Sequence, residues 1–162
     1  MINKKIQDAL NQQINEELYS AYLYLSMATQ FSEMNLSGFA RWMEMQAQEE
    51  TAHAMKFYGF INERGGRVEL KAIKGPQIQW DSALKMMTES LAHEEYITSC
   101  IHKLVDLATS EKDYPTMNML QWFVDEQVEE ESSVTEIVEK LKMIGEHGQG
   151  LFMLDRELGA RK

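Results

Sequence analysis

Cysteine is almost missing: Cys100 stands alone among 162 residues. No internal disulfide can form, and no CxxC pair is present to hold zinc or a redox centre, which fits a reducing compartment. Proline is nearly absent as well, with only Pro76 and Pro115, and glycines number nine. Collagen-like, Pro-rich and turn-dense β-sandwich architectures are therefore excluded. No apolar run is long enough to span a bilayer. The start, Met1-Ile2-Asn3-Lys4-Lys5, leads into Gln7-Asp8 rather than the apolar stretch of a secretion signal. Basic residues are in deficit, 16 Lys and Arg against 26 Asp and Glu, for a formal net charge of -10. Such a chain repels nucleic-acid phosphates and anionic lipid and attracts cations. The expectation is a cytoplasmic protein with neither a nucleic-acid nor a membrane partner.

What is present is an ordinary globular balance, 44% hydrophobic and 26% charged. It suits one domain spanning residues 1–162, large enough to bury a core without staples. Breaks are sparse, at Asn35–Gly38, Gly65-Gly66, Glu111–Pro115 and Gly145–Gly150. Between them the spacing predicts helices over about 4–34, 38–64, 82–110 and 115–144, and a short one over 150–158. Residues 65–81 read as a long ordered connection. Four helices of this length each span roughly 40 Å, and seventeen extended residues reach about 55 Å. The connection can therefore run the length of a bundle and set the third helix parallel to the second. The predicted fold is an all-α four-helix bundle with one long crossover and a short C-terminal fifth helix.

Each long segment carries an inward stripe at steps of three and four. They read Leu10, Ile14, Glu17, Ala21, Tyr24, Ala28, Phe31; Phe39, Met43, Gln46, Glu50, His53, Phe57, Phe60; Met87, Leu91, Glu94, Thr98, Ile101, Val105, Ala108; and Leu120, Phe123, Gln127, Glu130, Val134, Ile137, Leu141. Every stripe is interrupted at mid-length by ionisable or amide residues, which core seams normally avoid. Glu17 and His53 are equidistant from the first turn, and Glu94 and Glu130 from the second. Each pair thus faces across its own hairpin. One constant shift carries Glu17 onto Glu94, Glu50 onto Gln127, His53 onto Glu130, Tyr19 onto Tyr96 and Glu49 onto Glu126. A pseudo-two-fold site between two helix hairpins follows.

Four carboxylates in an apolar interior repel one another and lose hydration, at several kcal/mol per unpaired charge. No Lys or Arg occurs on the central stretches of the stripes. Two divalent metals would supply the missing positive charge, with His53 adding a nitrogen ligand one turn after Glu50. Oxygen-rich donors with imidazole suit iron or manganese.

At these residues the chain resembles the ferritin-like di-iron carboxylate family, in which two helices each give a Glu and two give Glu-x-x-His. Glu50-Thr51-Ala52-His53 fits that motif, and Gln127-Val128-Glu129-Glu130 departs from it. The departure resembles non-haem ferritins of the bacterial type rather than bacterioferritins. The resemblance implies Fe(II) oxidation by O2 or peroxide, storage of ferric oxyhydroxide, and a homo-oligomeric shell of 24 subunits. It implies that Glu17, Glu50 and His53 hold a first iron, with Glu50 bridging. Glu94 and Glu130 complete a second, and Gln127 lies on the oxygen side. Tyr24 would help deliver an electron. Glu49, Glu126 and Glu129 match a third iron position, with Trp122 near that level. No haem is implied, because Ala52 occupies the place of the bacterioferritin haem methionine.

Other residues take plainer readings. The twelve methionines are adaptable core filler, Cys100 a buried small hydrophobe, Glu131 a surface charge, and His93, His102 and His147 surface residues. A rubrerythrin-type reductase would need two CxxC pairs. Mini-ferritins place iron between subunits. A non-storage helical interaction protein would explain the topology but not carboxylates converging at one level.

Overall fold

The computed structural model describes all 162 residues. They form α1 (Lys4–Glu33), α2 (Ser37–Glu63), α3 (Ala83–Ser110), α4 (Tyr114–Ile144) and α5 (Gly148–Gly159), with no strands. No helix is long and apolar enough to cross a membrane. Side-chain caps start three of the helices. The Asn3 oxygen accepts from the Ile6 amide at 2.9 Å, Ser82 from Lys85 at 3.0 Å, and Asp113 from Thr116 at 3.1 Å. Gly148 and Gly150 fall inside α5, so that helix begins earlier than the sequence suggests.

The repeat extends to the turns. Asn35 and Lys112, related by the same shift, both adopt left-handed backbone, with φ of 62° and 54°. In each hairpin the amide three positions past the helix returns to a carbonyl five residues back. Leu36 bonds to Phe31 and Asp113 to Ala108, both at 2.9 Å. Gly65, with φ of 71°, closes α2 in the same way.

Residues 65–81 form the expected crossover, zippered along α1 by amide side chains. Asn11 donates to the Arg67 carbonyl and accepts from the Glu69 amide, both at 2.9 Å. Asn15 donates to Ala72 at 3.0 Å, and Gln30 brackets the Trp80 peptide at 2.7 and 2.8 Å. The strap therefore runs in the direction of α1. α3 starts where α1 ends, antiparallel to α1 and parallel to α2, as Lys5–Glu111 and Tyr96–Glu16 contacts also require.

The stripes of α1 and α4 are buried throughout. On α3, Leu91, Thr98 and Val105 are only half-buried, and Ser90, Ile97 and Leu104 take the interior positions. A strict heptad stripe drifts about 20° per repeat around a straight helix, which explains the displacement. On α2, Ile61 is enclosed while Phe60 is half-exposed. The apolar core is split in two. One half holds Tyr24, Phe31, Phe39, Met43, Met87 and Val134; the other holds Leu10, Ile14, Phe57, Ile97, Leu120 and Phe123. Glu17, Glu50, His53, Glu94, Gln127 and Glu130 belong to neither apolar cluster, yet all are buried.

α5 packs on the start of α2 backbone to backbone. A Cβ on Gly38 would stand 1.7 Å from the Asp155 carbonyl oxygen. Asp155 in return accepts from the Phe39 amide at 2.9 Å, capping a helix whose own Leu36 offers no side-chain cap.

Candidate metal centre

The six mid-seam residues converge, each at most 5% exposed. Glu17 comes from α1, Glu50 and His53 from α2, Glu94 from α3, and Gln127 and Glu130 from α4. Three groups of ligand atoms lie mutually within 4.8 Å: Glu17, Glu50 and His53; Glu50, Glu94 and Glu130; and His53, Glu126 and Glu130. Glu50 belongs to the first two groups, so one carboxylate can serve two cations.

Nδ1 of His53 stands 3.3 Å from Oε2 of Glu50 and 3.8 Å from Oε2 of Glu17, while Nε2 faces Glu126 at 3.6 Å. Both oxygens of Glu50, Oε2 of Glu17 and Nδ1 of His53 are buried without a hydrogen-bond partner. Unpaired buried polar atoms cost about 1–3 kcal/mol each, and more when charged. Cations would meet that unsatisfied demand, so the donor set fits divalent iron.

Protonation tells the same story. Burial pushes Glu50 well above the usual carboxylate range, and Glu94 and Glu17 add repulsion. Burial and the neighbouring Glu130 push Glu94 up to about 8. Burial also raises Glu130, restrained by a 2.8 Å hydrogen bond from Gln46. Burial opposes a charge on His53, but Glu17 and Glu50 outweigh it and lift the imidazole to about 11. Without metal the centre holds protons in place of cations.

Further donors orient the carboxylates. Gln13 reaches Oε1 of Glu17 at 2.9 Å. Gln127 donates to Oε2 of Glu94 at 3.1 Å and to the Thr98 hydroxyl at 3.2 Å. The Tyr24 hydroxyl donates to Oε1 of Glu94, and burial with the adjacent carboxylates pushes the phenol well up. Gln13 and Gln46 were not assigned to the site from sequence. The available signal was an amide one turn ahead of a seam carboxylate.

The acidic residues assigned by resemblance separate. Glu126 is half-buried and joins the third group. Glu49 pairs with Arg161 at 2.9 Å instead. Glu129 is exposed and enters no group. Trp122 packs edge-on to His53, ring centroids 5.5 Å apart, beneath the Lys56 ammonium at 3.4 Å.

Three of the plainer readings change, two of them for residues expected at the surface and one, Cys100, for a residue expected in the interior. His93 is half-buried: it meets Ser20 at 2.7 Å and packs edge-on against Tyr19 and Tyr24. It lines a cleft with Glu16, Lys74 and Tyr96, and burial lowers it to about 4. It follows the α3 face that the drift turns toward α1. Cys100 is half-exposed, and Glu131 is half-buried, accepting from Thr98 at 3.0 Å.

A long-crossover helix bundle in which one interior carboxylate, Glu50, is shared by two groups of residues that could each hold a metal ion defines a ferritin-like carboxylate protein. The Ferritin-like domain is matched over residues 7–144, and the chain belongs to that family. It is 42% identical over 156 residues to a bacterial non-heme ferritin of Campylobacter jejuni, covering 96% of this chain and 93% of that one. It is 38% identical over 161 residues to the corresponding Staphylococcus aureus protein, covering 99% and 97%. An open-pore ferritin from the hyperthermophilic archaeon Archaeoglobus fulgidus superposes with a TM-score of 0.99 at 53% identity, covering 99% and 98%.

Proposed function

We propose that the protein oxidises Fe(II) at the interior centre and stores the ferric product as oxyhydroxide mineral in a shell of like subunits. The observation that carries this is the set of orphaned buried ligand atoms on Glu17, Glu50 and His53, enclosed at mid-length of the bundle between its two apolar halves. Ferrous iron is the substrate. Glu17, Glu50 and His53 take one ion; Glu50, Glu94 and Glu130 take the other.

The chain's part in the chemistry is electrostatic and positional. Binding two dications expels the protons that the carboxylates hold in the metal-free state. Carboxylate oxygens in a poorly screened interior stabilise Fe(III) more than Fe(II), which lowers the barrier to losing an electron. Two adjacent Fe(II) ions supply the two electrons that reduce O2 to the peroxide level, and peroxide is an alternative oxidant. Glu94 is held by both Tyr24 and Gln127, so the second position is fixed from the α1 and α4 sides. Tyr24, through that contact, helps deliver an electron. Because the second position has no imidazole, it binds iron more weakly, and product leaves from there. A third position at His53, Glu126 and Glu130, with Glu49 on α2 and Glu129 on α4 nearby, extends this exit.

The family points to a homo-oligomeric shell of 24 subunits, cytoplasmic and without haem. Ala52 offers no haem ligand. Rapid-mixing oxidation of Fe(II) tests the reading. Glu50→Ala and His53→Ala should each slow the initial phase at least about tenfold, because losing even a partner that only orients a metal ligand costs that much. Light scattering should show the assembly intact. Unchanged rates in both variants would overturn it.

A further inference from the structure

Arg161, just past α5, lies along the first half of α2. Its guanidinium sits 4.8 Å over the Trp42 ring and donates to the Trp42 carbonyl at 3.2 Å. It also pairs with Oε1 of Glu49 at 2.9 Å, and its own carbonyl accepts from Arg41 at 3.3 Å. Trp42 and Glu49 are two turns apart on one face of α2, and a flat, rigid guanidinium can span them.

Glu49 precedes His53 by one turn on α2, as Glu126 precedes Glu130 on α4. These four residues border one seam. Ligand atoms of His53, Glu126 and Glu130 already gather there, but Glu49 is not among them. Glu49 is close enough that its charge, after burial, helps to raise Glu130. Its carboxylate is turned to Arg161 rather than to the seam.

We propose that Arg161 is a positioning residue: by holding Glu49 it competes with a cation at the Glu126–Glu130 position and keeps that position weaker than the two interior ones. The inference rests on the third position named above. Iron on its way out would then meet a site that binds but does not trap. The Glu49 side chain is 43% exposed, so the pair is of the weak, solvent-screened kind. A dication can displace the guanidinium, and removing Arg161 removes the competitor.

The test is calorimetric titration of the metal-free assembled protein with Zn(II), which does not change oxidation state, with ions located by anomalous diffraction at the zinc edge. Wild type, Arg161→Gln, Glu49→Gln and the double variant are compared. The weakest of three ions should bind about three- to fivefold more tightly in Arg161→Gln, the span of an exposed ion pair. It should bind more weakly in Glu49→Gln, and the double variant should match Glu49→Gln. The two tighter ions should not change. If Glu49→Gln weakens the third ion but Arg161→Gln leaves it unaltered, the third position stands and the role of Arg161 falls. A shift in all three affinities with Arg161→Gln would mark a packing effect of α5 and also overturn the proposal. Absence of a third ion from the wild-type seam would remove the underlying reading itself.

Discussion

Gln46 and Glu130 meet inside the bundle, from α2 to α4, through a 2.8 Å hydrogen bond between groups 1% and 5% exposed. It is the restraint on a carboxyl group that burial drives upward. Gln46→Leu keeps most of the volume and deletes the donor. Divalent-ion affinity at the Glu50–Glu94–Glu130 position should fall about tenfold, as expected for a lost ligand-orienting partner. The His53 position should hold. Zn(II) calorimetry checks this; equal affinities would reduce Gln46 to filler.

The metal-free protein should lose stability as pH rises. Glu94 goes from an ordinary 4.5 to about 8 on folding. The folded state therefore binds more protons than the unfolded chain across that interval. The associated stability is present below pH 4.5 and lost as pH climbs through 8. His53, raised to about 11, acts in the same direction above its ordinary 6.5. Bound Zn(II) should reverse the trend, because cations replace the protons. Urea unfolding across pH 5–8, with and without Zn(II), reads both slopes. Tyr24→Phe removes a donor that lowers Glu94, so its window should move above 8. A metal-free protein whose stability rises over this range would contradict the assignment.

Gly38→Ala should dislodge α5 and spare the four-helix bundle. The new methyl would overlap the Asp155 carbonyl, which is backbone and cannot rotate away. Hydrogen exchange should quicken in 148–159 and at the Phe39 amide, which loses its Asp155 acceptor. Far-ultraviolet dichroism should fall only by the contribution of α5. Unchanged exchange in that segment would show that α2 and α5 can separate slightly at no cost.

Much of this was written in periodicity. Glu17 on α1 and Gln127 with Glu130 on α4 fall inside because each lies on a seam whose other members are apolar. The hairpin symmetry was legible because turn positions and seam residues obey one shift, which the left-handed Asn35 and Lys112 also follow. His93 lies inward, against the surface expectation, because α1 brings Ser20 and Tyr24 to it, and its neighbours along the chain say nothing of either. Nothing in the spacing along the chain singles out the amides of Asn11, Asn15 and Gln30. They are the rungs that fix the crossover.

Spacing along the chain determined the helices, the single long link and the layer of acids between two apolar halves, since those depend only on which residues recur every turn. Tertiary packing decided what each acid faces. Glu49, Glu126 and Glu129 are equally acidic in sequence, yet one pairs with Arg161, one approaches His53 and one points outward. Helical repeat fixes the direction of a side chain on its own helix, but its partner is set by which other helix lies opposite and at what height.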